Sequence, residues 1–283
     1  MKSKDISLLI MLAAIWGSSY LFLRIATPVI GVMLTMSSRI IIAAVFMIII
    51  VAFSGSMPDY RKNWKHFTVL GLLNLVIPFS LISFAVSYLN ASLSAILNAT
   101  TPLFTMLVST VWLKESFNFR KLTGLLLGLA GLIVLVGWIP LEINSFTIVS
   151  IALSLLSSLC YGIAAVYARL YLKGSAPMKT AGGQLSTAAL MAIPLLFFSF
   201  NPGMISVKVS VVILILAIFC TALAYALYFR LIEKVGSTNA SVVTILVPVF
   251  SLLWSFLFLN EPITPAIIGG LILILGSMRM VLK

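Results

Sequence analysis

Apolar residues run along this chain in ten long blocks, at about 6–26, 31–53, 67–88, 91–113, 121–138, 146–168, 180–200, 209–230, 238–259 and 265–282. Each is near the ~20 residues that a helix needs to cross ~30 Å of hydrocarbon. A lone strand would leave its backbone groups unpaired in lipid, so the blocks predict membrane-spanning helices. Turn formers separate them: Pro28 and Gly31; Ser54, Gly55 and Pro58; Asn90; Pro140 and Asn144; Gly174 and Pro177; Asn201, Pro202 and Gly203; Pro262 and Pro265. The pattern predicts an all-α integral membrane protein with ten transmembrane helices.

The interruptions within the blocks repeat. PLFTMLVSTVWLKES begins at Pro102, and PVFSLLWSFLFLNEP begins at Pro248, 146 positions later. That offset carries Phe104 onto Phe250, Leu113 onto Leu259, Glu115 onto Glu261 and Gly124 onto Gly270. A chain that is 62% hydrophobic matches leucines by chance, but a Pro, a Glu and a Gly at fixed spacing carry more weight. The expected division is a first five-helix repeat at 1–138, an external linker at 139–147 and a second repeat at 148–283. Five spans is an odd number, so the second repeat must lie inverted relative to the first. Secondary transporters use this architecture.

Charge sets the orientation. Only 8% of residues are charged, and the mean hydropathy is +1.22, which excludes a soluble core of this length. The formal net charge is +12, a value that would ordinarily raise nucleic acid as a partner. With the N-terminus inside, however, fifteen of the eighteen basic residues fall in cytoplasmic segments. Lys208 is left in an external loop, and Arg24 and Arg39 lie within helices. The positive-inside rule then gives a multi-pass protein of the inner or plasma membrane with both termini cytoplasmic, and no nucleic-acid partner is needed. The partners expected are the lipid bilayer and a small-molecule substrate. The sequence leaves the oligomeric state open. MKSKD looks like a signal-peptide n-region, but the run after it lacks a cleavage site and reads as an uncleaved span.

Polar residues inside the spans are the candidate site. Span 4 carries Ser94, Asn98, Thr101, Thr105 and Ser109 on one helical face. Span 9 carries Ser237, Ser241, Thr244, Ser251 and Ser255 in the same rhythm. Such hydroxyls either line a cavity or only pack helices and bond their own backbone. An amide demands more, so Asn98 in span 4 and Asn74 in span 3 are candidates. Trp16 and Tyr20 lie one turn apart in span 1, Tyr161 is at the place matching Trp16, and Tyr225 and Tyr228 lie in span 8. The substrate-binding set is therefore Trp16, Tyr20, Asn74, Asn98, Thr101, Tyr161, Tyr225 and Thr244. Pro102 and Pro248 are candidate hinges, because a mid-helix proline frees a carbonyl and kinks the helix. Arg39 either caps carbonyls or contacts a substrate anion, and Gln184 falls at its matching place. Gly124, Gly128 and Gly131 in span 5, with Gly269, Gly270 and Gly276 in span 10, read as close-packing surfaces.

WGSSYLFLRIA at 16–26, the arginine in span 2 and the doubled Pro…Glu…Gly pattern resemble the EamA family of the drug/metabolite transporter superfamily. The resemblance covers nearly the whole chain. It implies a ten-helix carrier in which spans 1, 3, 4, 6, 8 and 9 surround a central cavity while spans 5 and 10 buttress it. The small multidrug branch of that superfamily uses a glutamate in span 1. Here all six acids (Asp5, Asp59, Glu115, Glu142, Glu233 and Glu261) fall near span ends or in loops.

The function expected is therefore alternating-access transport of a small polar metabolite, an amino acid or related zwitterion, in the direction of export. A flippase or carrier for lipid-linked or nucleotide sugars is the rival within the superfamily. A membrane-embedded enzyme is the rival of another class. It is disfavoured because His66 is the sole histidine and the chain carries no histidine pair for a metal, no paired acids and no phosphate loop. Cys160 and Cys220 read as small core residues, and no cofactor is expected.

Overall fold

The computed structural model describes residues 3–85, 97–116, 118–136, 144–199, 206–259 and 265–281. Ser94, Glu142, Glu261 and most of the 139–147 linker lie outside these residues, as do the side chains of Tyr20, Arg24 and Ser255.

Every apolar block contains helix. The helices are α1 (Ser3–Ile30), α2 (Val32–Phe53), α3 (Tyr60–Gly71), α4 (Ile77–Ala85), α5 (Thr101–Trp112), α6 (Phe119–Val136) and α7 (Ser145–Tyr171). They continue as α8 (Pro177–Ser199), α9 (Val207–Ala217), α10 (Ala224–Val235), α11 (Ser237–Ser241), α12 (Val243–Leu259) and α13 (Pro265–Val281). Among the described residues there is no strand, and six helical stretches are long and apolar enough to cross a membrane. Side-chain oxygens start several helices. Asn144 accepts from the Thr147 amide at 2.9 Å, and Ser206 accepts from the Val209 amide at 3.3 Å. Each satisfies an amide that the first turn leaves unpaired.

Two stretches depart from α geometry, and they do so in register. A π-helical turn at Leu72–Val76 joins α3 to α4, and another at Ile218–Leu223 joins α9 to α10. Their first residues are 146 positions apart, the offset of the sequence repeat. A π turn widens the helix and shifts the backbone groups on one face, and such turns concentrate at functional positions.

The packing is paired in the same way. Helix α1 lies against α12, and α7 lies against α5. At the first crossing a Cβ placed on Gly17 would stand 2.6 Å from Phe250 Cβ and 2.9 Å from the Ser251 nitrogen. At the second, a Cβ on Gly162 would stand 2.9 Å from the Thr105 nitrogen and 3.1 Å from Phe104 Cβ. Phe104 and Thr105 are the residues that the repeat offset carries onto Phe250 and Ser251. Helices α2 and α8 pack on each other, as do α6 and α13. Along α6, a Cβ on Gly131 would stand 2.9 Å from the Gly270 carbonyl, and one on Gly128 would stand 2.6 Å from Ser277 Oγ. Gly269 and Gly276 have ordinary room, so they are not part of the close contact.

One large buried cluster fills the centre and the end where the chain begins, around Leu9, Met47, Phe67, Leu185 and Leu231. A second cluster around Ala26, Leu34, Val212 and Leu216 holds the opposite end. Large apolar side chains such as Phe53, Val111, Leu190 and Phe258 are exposed, as a lipid-facing surface requires.

The glycine crossings give a direct test. Gly162→Ala must displace backbone and should destabilise by about 1–3 kcal/mol. Gly276→Ala should leave stability unchanged. Thermal midpoints of the detergent-solubilised proteins, read by size-exclusion chromatography, check both.

Candidate functional site: a central cavity between the helices

The two π turns present backbone carbonyls and polar side chains to the bundle interior, and one side chain from a neighbouring helix clamps each. Arg39 is 5% exposed, about 10 Å along α2 from its first residue. Its guanidinium donates to Thr221 Oγ1 and, at 3.0 Å, to the Cys220 carbonyl, both in the second π turn. It also stands 5.1 Å from the centre of the Phe79 ring. Gln184, on α8 and fully buried, meets the first π turn: Asn74 Nδ2 donates to its Oε1 at 3.0 Å. Arg39 and Gln184 occupy matching positions in the two halves, so the same cross-link is built once with a cation and once with an amide.

Prolines create further polar demand. Pro78 has no N–H for the carbonyl four residues earlier, that of Asn74. The Tyr225 hydroxyl donates to that carbonyl at 2.8 Å. Pro102 likewise offers nothing to the Asn98 carbonyl, and Thr101 Oγ1 donates to it at 2.7 Å. The Leu97 carbonyl accepts from Ser158 Oγ at 3.0 Å, which ties the break to α7. These bonds keep irregular backbone at membrane depth satisfied inside the protein.

Between these groups lies a cavity of about 130 Å³. Trp16, Tyr225 and Tyr228 form its aromatic side: the Trp16 ring lies 5.8 Å from Tyr225 and 5.2 Å from Tyr228, edge-on or tilted in each case. Among the described residues, Asn98 Oδ1 is buried without a hydrogen-bond partner. Of the residues selected from sequence, Trp16, Arg39, Asn74, Asn98, Thr101, Tyr161, Tyr225 and Thr244 line this one cavity. Tyr20 lies on α1, and its side chain is outside the described residues.

Two expectations need revision, on span 2 and on Pro102. Span 2 contributes to the lining through Met36 and Arg39, because the arginine is long enough to reach from α2 to the π turn. Pro102 stands at the start of α5, after a turn at Ala99–Thr100, so it is not mid-helix. Pro248 does lie inside α12, as expected, and that span also has an irregular residue at Val242, between α11 and α12. Neither proline lines the cavity. Seven lining residues were absent from the sequence-selected set, among them Ser19, Phe79 and Tyr228. Tyr228 had a signal in its three-residue spacing from Tyr225, which puts both on one helix face. No residue of α6 or α13 lines the cavity among those described.

Comparison with known proteins bears on this arrangement. The profile of the EamA-like transporter family matches residues 4–137 and again residues 148–283. The uncharacterized transporter YvbV of Bacillus subtilis is 24% identical over 99% of this chain and 92% of its own length. An uncharacterized transporter of Archaeoglobus fulgidus is 28% identical, covering 98% of this chain and 96% of the relative. Protein PecM of Dickeya dadantii is 24% identical over 94% of this chain and 88% of its own length. A solved crystal structure superposes with a TM-score of 0.81 at 18% identity, covering 99% of this chain and 96% of the other, which speaks to the fold. On these matches the chain is a membrane transporter and no enzyme, and it belongs to the EamA-like transporter family.

Proposed function

We propose that this transporter is a secondary carrier for small carboxylate-bearing metabolites, amino acids or related zwitterions, which it exports by alternating access. The observation that carries the reading is the convergence of Arg39, Asn98 and the aromatic residues on one cavity. The Arg39 guanidinium uses two of its five N–H groups on the π turn, which leaves donors for a carboxylate. The unpaired Asn98 Oδ1 is an acceptor for an ammonium, and the faces of Trp16, Tyr161 and Tyr228 suit a cation's remaining surface. The cavity thus offers the two poles of a zwitterion separate receptors.

Alternating access is supported by the paired crossings at Gly17 and Gly162, the π turns in register and the odd number of apolar blocks per half. In this reading ten helices form two inverted five-helix repeats at 1–138 and 148–283, joined at 139–147. The breaks beside Pro102 and in the span of Pro248 are the hinges. Both termini are cytoplasmic in the cell membrane, as the basic residues at the N-terminal end favour. Lipid-linked and nucleotide sugars, the rival solutes, would offer Arg39 a phosphate but would bring no cation to Asn98 Oδ1 and the aromatic faces.

Liposomes containing the purified protein test this. Preloaded amino acids should exchange with external label faster than in protein-free vesicles. A broad panel of amino acids and related carboxylates that all fail would refute the substrate class. Arg39→Gln should lower uptake of carboxylates by about tenfold or more, the worth of one charge-assisted hydrogen bond. Trp16→Ala and Asn98→Ala should impair transport with membrane insertion intact. Wild-type transport in all three variants would remove the site assignment. The described lining holds no acid, and every acid in the chain lies near a span end or in a loop. Exchange should therefore change less than about twofold when a protonophore collapses the pH gradient.

A further inference from the structure

A second, polar cavity of about 270 Å³ lies at the N-terminal end of the bundle, lined by Thr110, Glu115, Arg169, Gly236, Thr238 and Asn239 among others. That end is identified by contact: Asp5 Oδ1 stands 3.8 Å from Lys234 Nζ, two residues before Gly236. The same two helical segments border both cavities. On α5, Thr101 faces the central cavity and Thr110 the second. On the facing strand of helix, Thr244 faces the central cavity and Thr238 the second. Between them sit Thr105 and Ser241, both fully buried. Ser109 and Ser237 close the layer with Oγ atoms 3.1 Å apart, and Thr238 Oγ1 donates to Ser109 Oγ at 3.4 Å.

Above this layer an ion pair straps three helix ends together. Arg169, in the last turn of α7, bonds Glu115 just beyond α5. It also lies over the turn between α10 and α11, where a Cβ on Gly236 would stand 3.0 Å from Arg169 Nη1. Gly236 has φ +83°, a conformation that favours glycine, and the missing side chain leaves the room that the guanidinium occupies. Glu115 is aimed by the end of its helix. Its amide bonds back to the Ser109 carbonyl at 3.5 Å, and Lys114 takes φ 52°. Lys114 thus takes a left-handed conformation where glycine is usual, and this turn carries the chain from the end of α5 to Glu115 beside Arg169. Helix end, hydroxyl layer and ion pair are thus one unit.

We infer that this unit is the closed gate at the N-terminal end of the transport path. When Glu115 and Arg169 separate, α5 and α11 are free to part at Ser109 and Ser237, and the two cavities join. The proposal rests on the carrier reading above. The repeat offsets also carry Glu115 onto Glu261 and Arg169 onto Arg24 in the sequence. Their side chains lie outside the described residues, and the proposal does not use them.

Thiol labelling tests the gate without any substrate. In a background of Cys160→Ala and Cys220→Ala, the full chain carries Thr105→Cys as reporter. A membrane-impermeant methanethiosulfonate is applied to the face bearing the N-terminus. Modification should be slow in the parent and about fivefold faster with Glu115→Gln or Arg169→Gln, as for a half-exposed ion pair. The charge-reversed double variant, Glu115→Arg with Arg169→Glu, should return it toward the parent rate. Unchanged labelling in both single variants would overturn the gate. A second measurement stands if those variants fail to insert. A disulfide between Ser109→Cys and Ser237→Cys should stop exchange in liposomes, and reduction should restore it. Exchange that continues through the closed disulfide would also overturn the gate. If labelling changes as described and no solute moves, the gate holds and the carrier reading fails alone.

Discussion

A polar group inside hydrocarbon has to find its partner within the protein, and this requirement organises the centre of the bundle. Two π turns and the prolines at 78 and 102 place carbonyls and side chains at membrane depth without regular helical partners. Arg39, Asn74, Gln184, Thr101 and Tyr225 answer them. Each of these bonds except that of Thr101 crosses from one helix to another. The same groups that satisfy the backbone therefore fix the spacing of the helices and set the shape of the space between them. The cavity is what remains where the demand is met on one side only, as at Asn98 Oδ1.

The two halves solve this problem in parallel with different chemistry. Arg39 holds one π turn and Gln184 the other, from matching places on α2 and α8. An arginine brings a charge that lipid would reject, and the carbonyl, hydroxyl and ring around it supply the environment that keeps it buried. A glutamine meets the same geometrical need with no charge. The asymmetry gives the cavity one cationic wall.

Much of this was legible in the sequence, for reasons that can be named. The apolar blocks gave the helices because only helix satisfies its own backbone in lipid. The period of the polar stripe put Asn98 and Thr101 on one face, and the repeat, one residue shorter in its first spans, paired Trp16 with Tyr161; all four line the cavity. The π turns were not legible, because an added residue per turn changes no residue type. Without them, the bonds of Arg39 to the second π turn could not be foreseen, and although Arg39 itself was a candidate, span 2 was left out of the lining. Pro102 was visible, but its effect was misplaced. Thr101 absorbs the freed carbonyl at Pro102, so the break falls at the residues before the proline. The Glu115–Arg169 strap joins residues 54 positions apart, and its partners were fixed only by the helix ends that bring them together.

The central claim is that one solute binds between Arg39, Asn98 and Trp16. An experimental structure of the protein with a bound amino acid, guided by the exchange screen, measures this most directly. The account predicts the carboxylate at the Arg39 guanidinium and the ammonium toward Asn98 and the aromatic faces. A solute held elsewhere in the bundle, with these residues at their present bonds, would contradict it.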